Sequence, residues 1–229
     1  MPKRKTKRRV RWLRLLILMC ILTTSAFLSI VYLENREGRP EPFSQCQGWN
    51  LLLVNRDHPL PEGYEPTLLK LSNGQYVDER IYPELQAMFD EARSQGIRLY
   101  VRSGYRSNEK QQELFAKRKQ TYLDKGMSEE EAEAETKKWV SVPGTSEHET
   151  GLAVDINTEK KRLTQQTADW LHMHAAEYGF VQRYEESKSA LTGVNNEPWH
   201  YRYVGAEAAR QMAEGDLCLE EYVARGCRY

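Results

Sequence analysis

The sequence predicts an α+β domain carried behind a membrane-spanning N-terminus. Short apolar alternations and helical apolar spacings are interspersed along residues 46–229 without a regular β–α–β rhythm, which separates this body from a doubly wound α/β fold. Ahead of it lies a charge-free run of nineteen residues, Leu15–Leu33, rich in Leu, Ile, Val and Phe. The stretch before that run is strongly basic, with eight Lys or Arg (Lys3, Arg4, Lys5, Lys7, Arg8, Arg9, Arg11, Arg14) and no acid.

Leu15–Leu33 is long enough to cross a hydrocarbon core as a helix. The basic flank predicts that end inside the cell and the body outside. A cleaved signal peptide is the rival, since Thr24-Ser25-Ala26 offers a small-residue cleavage site; continuation of the apolar run to Leu33 favours an uncleaved anchor. Residues 34–45 are polar with two prolines and read as a linker. The expected division is a basic cytoplasmic tail (1–14), a transmembrane anchor (15–33), a linker (34–45) and a folded body (46–229).

The formal charge of zero hides an asymmetry. Beyond residue 14 the chain retains 25 basic and 33 acidic residues, a net charge of −8. An acidic body argues against nucleic acid as a partner, because phosphate binding needs a positive face. Outside the cell disulfides are permitted. Cys20 lies in the anchor, so Cys46, Cys218 and Cys227 remain; Cys218 with Cys227, or Cys46 with either, is allowed, and one thiol stays free.

Along the body, residues 50–61 (NLLLVNRDHPLP) begin with a short apolar strand and end in a Pro-rich loop. Leu85, Met88, Phe89 and Ala92 have helical spacing and Gly96 closes that helix. Ile97, Leu99 and Val101 alternate as a strand. Asn108 with Gln111 resembles a helix-starting pair, with Leu114 and Phe115 on the buried face; Ser128 with Glu131 repeats the signal before a charged, solvated helix. A strand follows at 152–156. Residues 164–179 form a helix closed by Gly179, residues 180–184 a strand, and the last helices run through 206–212 and 219–225. No internal repeat is visible.

The chemistry centres on "TSEHETGLAVDIN", residues 145–157. If Leu152, Val154 and Ile156 pack inward, Asp155 stands on the opposite face beside the small Ala153. Gly151 permits a sharp turn that brings His148 back over the strand. Imidazole and carboxylate are both good zinc ligands, and a catalytic zinc takes three protein ligands. The third ligand is sought among the remaining histidines. His58 sits in a Pro-rich loop, while His172 and His174 lie two apart on a helix and point in different directions. His200 follows Glu197 and Pro198 in an E-x-x-H unit at a turn entering a strand, which puts acid and imidazole on one side.

Ser146, His148, Gly151, Ala153 and Asp155 complete the pattern S-x-H-x-x-G-x-A-x-D. With S-G-Y-R-S (103–107) and E-P-W-H (197–200) in the same order, the body resembles the LAS metallopeptidases, specifically the VanY-like D-alanyl-D-alanine carboxypeptidases. The resemblance spans almost the whole body; its departures, Glu185 and the Asn195-Asn196 pair, touch specificity more than catalysis. It implies a small antiparallel sheet flanked by helices, with His148, Asp155 and His200 as ligands of a Zn2+ cofactor. Glu197 would be the general base towards the attacking water and then the acid to the leaving amine. Arg106, Gln111 and Ser146 match positions that receive the substrate's terminal carboxylate, a task suited to guanidinium. Arg102 is left structural, and Trp199 and Tyr201 are either cavity walls or core.

The implied function is a membrane-anchored zinc carboxypeptidase that removes the terminal D-Ala from peptidoglycan stem peptides. The alternatives are L,D-carboxypeptidase action on tetrapeptide stems and, in another class, a non-catalytic peptidoglycan-binding module. The presence of Glu197 speaks against the latter, because a binder needs no base.

Overall fold

A computed structural model describes residues 48–158 and 163–227, all within the unit Phe43–Tyr229. The predicted tail, anchor and linker lie outside the described residues, as do Cys20 and Cys46. Among the described residues no helix is long and apolar enough to cross a membrane.

Four strands form the central sheet: β3 (Leu99–Ser103), β4 (Ala153–Thr158), β5 (Phe180–Gln182) and β6 (His200–Tyr203). Their order is β3-β4-β6-β5 and every pairing is antiparallel. A separate hairpin pairs β1 (Leu68–Lys70) with β2 (Tyr76–Asp78) around Asn73-Gly74, a favoured hairpin turn that the sequence reading leaves unassigned.

The alternation expected in 152–156 is present. Leu152, Val154 and Ile156 enter the main core with Val101, Phe180, Tyr201 and Tyr203. Two helices bring apolar stripes to this core. From α1 (Tyr82–Ser94) come Leu85, Met88 and Ala92, and from α4 (Gln165–His174) come Trp170 and Leu171. Around Val204 and Leu53 a second cluster forms with Ala208, Ala209 and Met212 of α6 (Ala206–Glu214) and Leu219 and Tyr222 of α7 (Leu219–Ala224).

Two local expectations are corrected, and one open cysteine pairing is excluded. Residues 50–54 make no strand: a single 3-10 turn spans Trp49–Leu51, and the carbonyls of Asn50 and Leu52 are taken by the buried Arg202 guanidinium rather than by a neighbouring strand. The helix α2 (Asn108–Leu123) is capped by Ser107, whose hydroxyl accepts from Lys110 N; Asn108 instead donates to Glu149, and Leu114 and Phe115 are only half-buried. Cys218 is a buried free thiol whereas Cys227 is disulfide-bonded, so the Cys218–Cys227 pair does not form. By contrast, Ser128 and Glu131 make the expected capping box on α3 (Glu129–Lys137), which packs against α2. The short helix α5 (Ser189–Thr192) completes the set among the described residues.

Candidate metal and active site

The face of the sheet opposite the main core holds the site, and strand register assembles it. Asp155 on β4 is paired directly with His200 on β6, so both side chains stand on one face. A register shift between Val101 and Ser103 sets Ser103 beside Asp155 on the other flank. The third member arrives by a turn. Residues Glu147–Thr150 form a 3-10 turn that ends at Gly151 in the left-handed region, φ 74°. A Cβ there would lie 2.8 Å from the backbone nitrogen of Asp78, so both the conformation and the close approach require glycine.

His148, Asp155 and His200 are buried, and their ligand atoms all lie within 4.8 Å of one another. His148 donates Nδ1–H to the Gly104 carbonyl at 2.7 Å, which leaves Nε2 facing Asp155 Oδ1 at 3.3 Å. His200 presents Nδ1 to the same oxygen at 3.2 Å. Two donors about 2.0–2.1 Å from one ion at the tetrahedral angle stand about 3.3 Å apart. The two separations from Asp155 and the His2Asp donor set therefore fit a zinc site.

The other nitrogen of His200 reveals a residue that the sequence reading missed. Nε2 lies 3.3 Å from Oε2 of Glu147, which is wholly buried. Glu147 Oε1 accepts from Arg183 Nε at 2.8 Å and from Arg202 at 3.1 Å, and Arg183 is also gripped by Glu220 at 2.6 and 2.8 Å. Burial opposes the charge on Glu147, yet Arg183 and Arg202, with His200, hold its carboxyl well below the usual range. Burial likewise opposes a charged His200, but the hydrogen bonds that its ring donates to Asp155 and Glu147 overcome it and raise the imidazole to about 9. His148 has only Asp155 as a carboxylate partner, and burial, then the charge of Arg106, outweigh it and lower the imidazole to about 4.

Glu197 enters from the turn ahead of β6. Its backbone N–H is fixed by the Tyr184 carbonyl, and its carboxylate stands 3.8 Å from His200. Burial pushes it up to about 7, with His200 opposing and Asp155 reinforcing. Such a carboxyl can exchange a proton near neutrality.

Arg106, Gln111, Ser146 and Glu197 line one cavity of about 480 Å³ together with the three candidate ligands. Arg106 donates to Ser103 at 3.0 Å and to Asp155 Oδ2 at 2.9 Å, so it also steadies the oxygen that the histidines leave free. Gln111 commits one amide hydrogen to the Ser141 carbonyl, and its buried Oε1 has no partner among the described residues. Trp199 lines the cavity, whereas Tyr201 is core. His58 is tied to Asn55, His172 is exposed and His174 pairs with Glu177, so none of the three reaches the site.

Comparison with known proteins agrees with this architecture. Residues 74–206 match the family described as VanY, D-alanyl-D-alanine carboxypeptidase. A D-alanyl-D-alanine carboxypeptidase of Enterococcus faecalis is 49% identical over 191 residues, covering 83% of this chain and 71% of that protein. A vancomycin resistance D,D-pentapeptidase VanY, solved in complex with Zn(II), superposes with a TM-score of 0.74 at 48% identity over 77% of this chain and 99% of that one. The structure of VanYB in complex with D-alanine-D-alanine gives 0.75 at 49% identity, over 77% and 98%. More distant is the LD-carboxypeptidase LdcB, at 0.66 and 33% identity over 79% and 88%. The chain belongs to the VanY family of D-alanyl-D-alanine carboxypeptidases.

Proposed function

We propose that this chain is a zinc-dependent D,D-carboxypeptidase that removes the terminal D-Ala from peptidoglycan stem peptides, held at the outer face of the cell membrane by residues 15–33. The observation that carries the reading is the convergence of His148, Asp155, His200 and Glu197 on one cavity. His148, Asp155 and His200 would hold the zinc, which when bound polarises the scissile carbonyl and acidifies a water molecule.

The chain's own residues do the rest. Glu197, buried and poised near neutrality, takes the proton of the attacking water and returns it to the leaving amine. Gly104 and Glu147 fix the ring orientations of His148 and His200 through their outer nitrogens. Arg106, with Ser146, receives the free carboxylate of the terminal residue. Gln111 offers the unpartnered Oε1, an acceptor, and therefore suits a substrate N–H better than the carboxylate itself. The membrane anchor fits a substrate that lies just beyond the membrane.

Incubation of the full-length, zinc-loaded protein with defined penta- and tetrapeptide stems, followed by mass measurement, tests the reading. Loss of one alanine from the pentapeptide is expected. Glu197→Ala should abolish that loss while zinc stays bound, an outcome that a mere binding module would not give. Cleavage of the tetrapeptide alone would transfer the assignment to L,D-carboxypeptidase action, and release of no alanine from either stem would overturn the enzyme reading.

A further inference from the structure

The cavity extends beyond the catalytic groups along one face of α2. Gln111, Leu114, Arg118 and Thr121 follow at spacings of three and four and form its wall. Gln111 sits in the first turn, close in sequence to Arg106. Arg118 is seven residues further on, about 10 Å along the axis at 1.5 Å per residue. Its guanidinium lies over two rings, 5.6 Å from the centroid of Trp139 and 5.9 Å from that of Tyr122, which restrict its plane.

The Nε of Arg118 is buried and has no hydrogen-bond partner among the described residues. Around it the cavity is lined by Leu114, Lys117, Thr121, Trp139 and Val140; Glu197 is near enough to feel its charge but accepts no hydrogen bond from Nε. The acids of the cavity are already engaged: Glu147 by Arg183 and Arg202, Asp155 by Arg106, and Glu197 beside His200. A desolvated guanidinium N–H without an acceptor is costly, and a carboxylate is the acceptor whose shape and charge match it.

The geometry points to Arg118 as a second carboxylate subsite, which reads an acidic residue of the substrate on the acyl side of the scissile bond. This rests on the carboxypeptidase reading above. In that reaction a single residue leaves, and its carboxylate is assigned to Arg106, so any further anion belongs upstream. The rise of about 10 Å from Gln111 to Arg118 matches about three residues of extended chain at about 3.3–3.6 Å each, which makes the third and fourth residues from the C-terminus the ones to test.

The test uses full-length, zinc-loaded protein and peptides ending in D-Ala-D-Ala that carry Glu or Gln at the third or the fourth position from the C-terminus. At one of these positions the Glu peptide should show a KM lower by about tenfold, the low end for a hydrogen bond to a charged group. Arg118→Gln should erase that preference and leave the KM of the Gln peptides unchanged, and Arg118→Lys should retain part of it. Binding of the same peptides to Glu197→Ala protein, measured by calorimetry, reads the preference without turnover. If that binding preference is present and depends on Arg118 although the zinc-loaded wild-type protein hydrolyses none of the peptides, the subsite stands and the carboxypeptidase reading falls. Equal KM and equal binding for Glu and Gln peptides would overturn the subsite. So would a preference that survives Arg118→Gln, or an equal loss on all peptides, which would mark a packing role.

Discussion

Glu147→Gln removes one buried charge while keeping the side chain's shape. In the native protein Glu147 Oε1 neutralises Arg183 and Arg202 at 2.8 and 3.1 Å, and all three side chains are fully buried. Arg183 keeps Glu220, but Arg202 is left with the backbone carbonyls of Asn50, Leu52 and Tyr203 as its acceptors. Breaking a buried ion pair by removing one partner costs about 3–5 kcal/mol, because the surviving charge stays desolvated. A domain of this size loses about 2–4 °C of melting temperature per kcal/mol, so a fall of roughly 10 °C is expected.

The same change loosens His200, whose Nε2 loses its carboxylate partner. Outer-shell substitutions of this kind weaken metal affinity by about 10–100-fold. Urea unfolding of the metal-free protein and zinc titration against a competing chelator measure the two effects separately. The pH dependence supplies a further check. Glu147 has a folded pKa held below its unfolded value, so its contribution is present above about pH 4.3 and lost as the pH falls. The variant should therefore show a flatter acid limb. A stability loss under about 1 kcal/mol, the scale of an exposed ion pair, would refute the claim that this carboxylate supports the buried network. Unchanged zinc affinity would show that His200 is oriented without it.

Two further outcomes follow from the site. His200 is raised to about 9, so in the metal-free protein its contribution to stability is complete below about 6.5 and disappears as the pH rises through 9. That proton competes with metal, so zinc affinity should increase with pH up to about 9, with roughly one proton released at neutral pH in calorimetry across buffers of different ionisation enthalpy. A pH-independent affinity between 6.5 and 9 would contradict this. Arg106→Ala should weaken kcat/KM by about tenfold or more for peptides with a free terminal carboxylate and far less for their amidated counterparts. Equal losses on both would reassign Arg106 to its other visible task, steadying Asp155.

Much of the site was legible because its signals are local. Strand alternation alone separates Asp155 from Leu152, Val154 and Ile156, since side chains on a strand change face at every residue. Gly151 announces the turn that returns His148, and E-x-x-H before a strand puts Glu197 on the side of His200. The α+β class follows from the order of short periodic segments. Two expectations failed where a distant partner outweighed a local one. The apolar run at 50–54 looks like a strand, yet Arg202, about 150 residues later, captures its carbonyls. Asn108 is a fair capping residue, but Ser107 caps and Asn108 turns to Glu149. Among the cysteine pairings left open, the expected free thiol is Cys218, a choice that spacing alone does not make.

By itself, then, the sequence determined which residue types carry the chemistry and on which face of their own strand or turn each one stands. Those properties depend on backbone periodicity and on the one conformation glycine tolerates best. Only the tertiary structure decided what these residues meet. Glu147 looks like one acid among several in S-E-H-E-T until folding brings Arg183, Arg202 and His200 around it from 36 to 55 residues away. Arg118 looks like one cation on a charged helix until the wall of the cavity leaves its Nε buried and without an acceptor. The physical reason is the same in both cases. The energy of a charged group is set by desolvation and by partners within a few ångströms, and those are properties of packing rather than of sequence spacing.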